Sequence, residues 1–291
     1  MRGRKSMAEP AGLLLVAALS CACSDLRSVR DTPTTVSYID EYVPVVLPLQ
    51  VDVLLVVDDS ASMADEQDLL GEAIPALIRD LLAPPLIDTD TCPSYDYDPG
   101  DPGCAPNPPS CTASPPTGSC GRLHAPVRDV HLGVIGTDMG AGGRDIPTCR
   151  DNPMLGDDGI LLHAPGGAGC TEAFPDYLSY GIDFEKNPDG EIVSRVAGDF
   201  GCMADLGTGG CGFEQPLEAA LRALTVHMAP GGRNAGFLRK DSILLVLFIT
   251  DEDDCSVADP SIFDGEGMTG DDSLRCLQQS SKLFSIERYV R

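Results

Sequence analysis

One segment limits the fold more than any other. Val51 to Val57 reads Val-Asp-Val-Leu-Leu-Val-Val. A run this short, this apolar and this rich in β-branched residues fits a strand buried on both faces, as in a parallel sheet covered by helices. Two more runs share the pattern, Val130 to Thr137 and Ser242 to Thr250, the second being the most apolar of the three. Helical spacing fills the intervals. Leu69, Leu70, Ile74, Leu77, Ile78 and Leu81 recur within Ser62 to Leu82, where Pro75 predicts a kink or break and Pro84-Pro85 a stop. Leu217, Ala220, Leu221 and Leu224 mark a helix over Pro216 to Met228, and Ser273 to Val290 also reads as helical. Strands alternating with helices predict an α/β layered fold with a mostly parallel sheet.

Two stretches interrupt the pattern, at about 84–128 and 140–210. Thr89 to Pro126 is rich in Pro, Gly, Asp and Ser and holds Cys92, Cys104, Cys111 and Cys120. Gly140 to Gly210 holds Cys149, Cys170 and Cys202, and reads as a second irregular insertion. Within it, Asn187-Pro188-Asp189-Gly190 is a turn signal, predicted to join two short strands, the second over Glu191 to Val196. The chain of 291 residues has 12 cysteines and 4 histidines. No Cys-x-x-Cys pair and no His-Glu-x-x-His is present, which argues against zinc. Many cysteines without ligand spacing predict disulfides and an oxidising compartment, with Cys255 pairing so as to fix the acidic turn beside it.

The N-terminus agrees. Arg2, Arg4 and Lys5 precede a short apolar run, Leu13 to Leu19, and then Ser20-Cys21-Ala22-Cys23. Small residues before a cysteine resemble a lipobox. Cleavage before Cys23 lipidates Cys23 and leaves an even ten cysteines, so residues 1–23 read as a lipoprotein signal peptide and 24–50 as a tether. An ordinary secretory signal is the alternative. No other run is long and apolar enough to span a bilayer. The expected location is the bacterial cell envelope, at the outer membrane or cell surface. Net charge is −25, which disfavours nucleic acid and anionic headgroups. Contact with a membrane is then expected only through the anchor.

Chemistry concentrates at two strand ends: Asp58-Asp59-Ser60-Ala61-Ser62 after the first run, and Thr250-Asp251-Glu252-Asp253-Asp254 after the last. Carboxylates and hydroxyls are hard oxygen donors, suited to Mg²⁺, Mn²⁺ or Ca²⁺. In open parallel sheets such strand ends are where ligands sit. Each piece also has a plainer reading: Ser60 and Ser62 as helix caps, Asp251 to Asp254 as a solvated turn. Asp96, Asp98 and Asp101 read as a solvated loop rather than a calcium loop.

Asp-x-Ser-x-Ser after a buried strand, with Thr-Asp after a later one, resembles the metal-ion-dependent adhesion site of von Willebrand factor A (VWA) domains. With its Cys-rich insertions and lipobox, the chain is similar to the VWA lipoproteins of myxobacteria. The resemblance covers roughly Val51 to Ser285. It implies a Rossmann-like, doubly wound sheet over residues 51–291, with Asp58, Ser60, Ser62 and Asp251 as ligands to a divalent cation, Mg²⁺ first. Such domains usually supply a Thr from the loop before the helix at Pro216. That position falls on Gln215; Glu214, a carboxylate, is the preferred substitute, with Gln215 and Thr208 as alternatives. VWA sheets normally carry a further strand and helix, so the stop at Arg291 reads as truncation. The implied function is binding: the ion engages a carboxylate of a protein partner. A metal-dependent hydrolase is the rival, but no His, Lys or Arg lies in the motif segments to serve as acid, base or clamp, and no enzyme is expected. A metal-free structural envelope protein is the third reading.

Overall fold

The structure, a computed structural model, describes residues 50–92, 98, 100–149, 153–162, 170, 173–183, 186, 190–264 and 272–290. All fall within one compact unit, Leu47–Arg291. The segments read as signal peptide and tether, with Cys23, and also Asp96 and the turn residues Asn187 to Asp189, lie outside the described residues. The architecture is mixed α/β around a mostly parallel four-stranded sheet.

Strand β1 (Gln50–Val57) lies in the interior of that sheet. Helix α1 (Ala64–Leu82) follows a 3₁₀ turn at Ala61–Met63. Strands β2 (Leu86–Asp88) and β3 (Cys120–Arg122) form a separate antiparallel pair, with the short helix α2 (Pro109–Thr112) between them. Strand β4 (Asp129–Gly136) pairs parallel with β1. Strand β5 (Leu178–Gly181) adds antiparallel to the far side of β4. Helices α3 (Glu191–Ala204) and α4 (Pro216–Leu224) precede strand β6 (Ile243–Ile249), which pairs parallel with the other side of β1. Helix α5 (Asp272–Gln278) comes last.

Alternation along β1 explains the layers. Val51, Val53, Leu55 and Val57 pack with Leu70, Ile74 and Ile78 of α1 and Val193, Val196 and Phe200 of α3. Leu54 and Val56 point the other way, toward Ala219, Ala220 and Ala223 of α4 and Phe237. Helices therefore cover both faces, and each fully buried aliphatic side chain contributes roughly 1.5–3 kcal/mol. Asp52, the one polar residue in the run, is also fully buried. It accepts from the Arg239 backbone N–H at 2.7 Å, from Arg239 Nε at 2.8 Å and from the Ser242 hydroxyl. Arg239 also bridges to Asp129 of β4. This network ties the entry of β6 to β1 and β4.

Several expectations need correction. Glu191 to Val196 is not a strand but the start of α3. Ile192, Val193, Val196, Ala197 and Phe200 follow a helical period, and Gly190 begins the helix at φ 69°, a conformation open to glycine. The second insertion is thus not irregular throughout: it supplies a core helix and strand β5. Pro75 does not break α1, which runs unbroken through it; Leu70, Ile74 and Ile78 hold it to the core on both sides of the proline. Gly201 of α3 lets that ring approach, since a β-carbon there would lie 2.7 Å from Pro75 Cγ. Leu69 and Leu77 face outward. Helix α4 ends at Leu224 rather than Met228. The last segment is α5 followed by 3₁₀ turns at Ser280–Lys282 and Ile286–Arg288, not one helix. The most apolar strand, β6, is at the sheet edge and only half-buried, with Phe248 45 % exposed.

Disulfides replace a core where apolar residues are few. Cys92–Cys104 and Cys111–Cys120 staple the first insertion. Cys149–Cys211 and Cys170–Cys202 tie the second, and Cys255–Cys276 joins the acidic turn to α5. All ten cysteines from Cys92 onward are paired, as parity predicted. Among the described residues, no helix is long and apolar enough to cross a membrane.

Candidate functional site

The parallel register brings the two strand ends together. Val57 pairs with Ile249, and the Asp58 N–H donates to the Ile249 carbonyl at 2.9 Å. Asp58 and Thr250 therefore emerge as neighbours. Asp58 is fully buried. Its Oδ1 accepts from the Ser60 N–H at 2.9 Å and its Oδ2 from the Thr250 hydroxyl at 2.7 Å. The Ser60 and Ser62 hydroxyls are 2.8 Å apart, and Ser62 donates to Asp251 Oδ1 at 3.2 Å. The two serine hydroxyls and exposed Asp251 thus form one line of oxygens, and buried Asp58 holds its start through the Ser60 backbone N–H. Neither serine side chain caps the following helix, so the capping reading fails. Gln67 of α1 donates to the Asp58 carbonyl at 3.0 Å and locks the turn.

Glu214 enters from the loop before α4. It is fully buried, neither of its carboxylate oxygens meets a ready donor such as an N–H or hydroxyl among the described residues, and the side chain facing it is another acid, Glu252. Burial first, then the charges of Asp58 and Glu252, push its pKa up to about 9. Without a bound cation it holds a proton at neutral pH. The Thr137 hydroxyl, just past β4, is also buried without a partner among the described residues. The acidic turn is latched to the same loop. The Cys255 N–H donates to the Glu214 carbonyl at 2.9 Å, and Asp254 Oδ1 accepts from the Leu217 N–H at the start of α4. Asp254 thus serves as a cap, and the turn is not merely solvated.

No family model, no curated protein and no solved structure matches this chain. The residues alone must therefore carry the assignment. Among the described residues, no group of three or more His, Cys, Asp or Glu side chains is placed to hold a metal ion. Asp58, Glu214 and Asp251 accordingly do not form one group of three carboxylates. The oxygens that do come together are mixed: the Ser60 and Ser62 hydroxyls with Asp251, and the Thr250 hydroxyl with Asp58.

The alternatives to Glu214 fare worse. The Gln215 side chain is engaged with backbone, donating to the Gly140 carbonyl and accepting from the Val257 N–H. Thr208 is exposed. Asp98 and Asp101 close local turns onto Gly100 and Gly103, as a solvated loop would. Two features escaped the sequence reading. Thr250 was read only as part of the Thr-Asp motif, and its register with Asp58 gives its hydroxyl a role of its own. Asp59 was hidden beside Asp58; burial, then Asp157 and Asp138, push its pKa up to about 7, and burial, then Asp138, push Asp157 to about 6.

Proposed function

We propose that this chain is a VWA-type binding module of the bacterial envelope, anchored through Cys23, that engages a partner carboxylate through a divalent cation. The observation that carries the reading is Glu214. A buried carboxylate whose oxygens meet no ready donor costs free energy that proteins avoid unless the group has a use. Its acidic neighbours are Asp58 and Glu252, and with the serine hydroxyls of the Asp58 turn they make a hard-oxygen set that favours Mg²⁺ or Mn²⁺, then Ca²⁺. Asp58, Ser60 and Ser62 would hold the ion, with Glu214 and Asp251 completing the shell directly or through water. When bound, the ion supplies a Lewis-acidic position open to a carboxylate oxygen.

Charge makes the capture conditional. A cleft of about 670 Å³ flanks the site, lined by Asp251 to Asp254 and by Leu277 and Leu283. This acidic wall repels a carboxylate until a cation offsets it. On this reading the chain's own residues would set both where the ion sits and how partner binding depends on it.

Calorimetry of the soluble chain with Mg²⁺, Mn²⁺ and Ca²⁺ tests the reading. Saturable binding of one ion is expected, with a higher melting temperature. At 100 times the dissociation constant the gain is about 2.7 kcal/mol. Asp58→Ala should fold, melt no lower than the ion-free wild type and ignore added metal. Full metal response in Asp58→Ala, or turnover of phosphoester or peptide substrates by the metal-loaded chain, overturns it.

A further inference from the structure

The turn after β1 has a second face. Asp58 turns to Ser60 and Thr250, whereas Asp59 lines a separate cavity of about 400 Å³ together with Asp157, Ile160, Leu162 and Leu206, with Arg233 exposed at its rim. Glycines make room for the carboxylates. A β-carbon at Gly210 would lie 2.1 Å from Asp59 Oδ1. One at Gly136 would lie 2.6 Å from Asp157 Oδ2 and 3.5 Å from both Asp59 oxygens, and one at Gly156 would lie 2.2 Å from Asp138 Oδ1. Asp59 is only 8 % exposed, and its Oδ1 has no hydrogen-bond partner among the described residues. An orphaned buried acceptor therefore sits beside a second carboxylate, with aliphatic walls around both.

That combination selects a ligand class. A bare divalent ion needs several oxygens in one tight shell, and these acids are not so placed. A single nitrogen can serve two carboxylates up to about 6 Å apart through charge-assisted hydrogen bonds, and aliphatic walls suit a methylene stem. We propose that this cavity binds an aliphatic primary ammonium, as in a lysine side chain or a free alkylamine. Its N–H groups donate to the carboxylates of Asp59 and Asp157, and its stem packs on Ile160, Leu162 and Leu206. The pocket is independent of the metal reading, because neither Asp59 nor Asp157 belongs to that ligand set.

The test is titration of the full chain, with chelator present, against n-butylammonium, followed by NMR. Saturable binding is expected, while tetramethylammonium, which has no N–H, does not compete. Asp157→Asn should weaken binding about tenfold, the loss of one charge-assisted hydrogen bond. Arg233→Ala, which removes a cation from the rim, should strengthen it about threefold. A gain of affinity cannot come from misfolding, so the pair of variants separates binding from stability. A capped lysine tripeptide run alongside distinguishes the sources: tighter binding of the peptide assigns the pocket to protein lysines, tighter binding of butylammonium to free amines, and both uphold it. No saturation by either probe, equal binding of tetramethylammonium, or unchanged affinity in both variants would each overturn the proposal.

Discussion

Replacing Glu214 by Gln should change how stability depends on pH. In the chelated protein Glu214 keeps its proton to about pH 9, because burial and the nearby Asp58 and Glu252 charges oppose ionisation. In the unfolded chain the same carboxyl has lost its proton well below pH 7. Between pH 7 and 9 the folded state therefore holds one more proton than the unfolded state, and stability falls as pH rises. The slope for one proton is about 1.4 kcal/mol per pH unit. From pH 7 to 8.5 the loss is about 2 kcal/mol, or roughly 4–8 °C in melting temperature for a chain of this size. Asp59 and Asp157, raised to about 7 and about 6, add their slopes mainly below this window. Glutamine keeps the shape and is neutral throughout. Glu214→Gln should therefore melt nearly independently of pH over the window, above the wild type at pH 8.5. Thermal melts by circular dichroism in chelator at three pH values suffice. A wild type that is flat or gains stability with pH refutes the argument, as does a variant that keeps the wild-type slope.

Other expectations follow from the same geometry. Arg239→Ala strips the side-chain partner from fully buried Asp52; the Arg239 N–H and Ser242 hydroxyl remain, so urea unfolding should show a loss near about 3 kcal/mol. Gly201→Ala forces a β-carbon against Pro75 and should cost about 1–3 kcal/mol in the same assay. Thiol counting under denaturing, non-reducing conditions should find none of the ten cysteines from Cys92 onward free, and four or more would contradict the pairing. Mass spectrometry of the mature envelope protein should find a lipid on Cys23, and an unacylated N-terminus elsewhere would dispose of the anchor.

The strands were legible because burial on both faces leaves an unmistakable run, as at Val51 to Val57. The pairing of Asp58 with the Thr250–Asp251 end was legible for the same reason, since parallel strands that start together finish together. What was not legible depended on distant partners. Glu191 to Val196 looked extended when read for a turn and a short run, yet the period over the next eight residues is helical and its face is buried by α1. Apolarity told nothing of strand order, so β6 was read as core although it lies at the edge. Asp59 was passed over because its neighbours Asp138 and Asp157 come from loops far along the chain. Glu214 was chosen for its chemistry alone; its burial and lack of donors had no sequence signal.

The edge position of β6 has a colloidal consequence. Ile243 to Ile249 carries no charge and no proline, and among the described residues its outer backbone groups meet no other strand. Natural sheets blunt such edges with lysine, proline or a bulge. Among the described residues this edge offers an open template, with a small apolar hollow formed by Leu221, Leu224, Val246 and Phe248 nearby. The chain, concentrated in solution, should add strand to strand and thicken into oligomers as concentration rises. A single lysine at the half-exposed Phe248 would place a charge on that template and keep the chains apart.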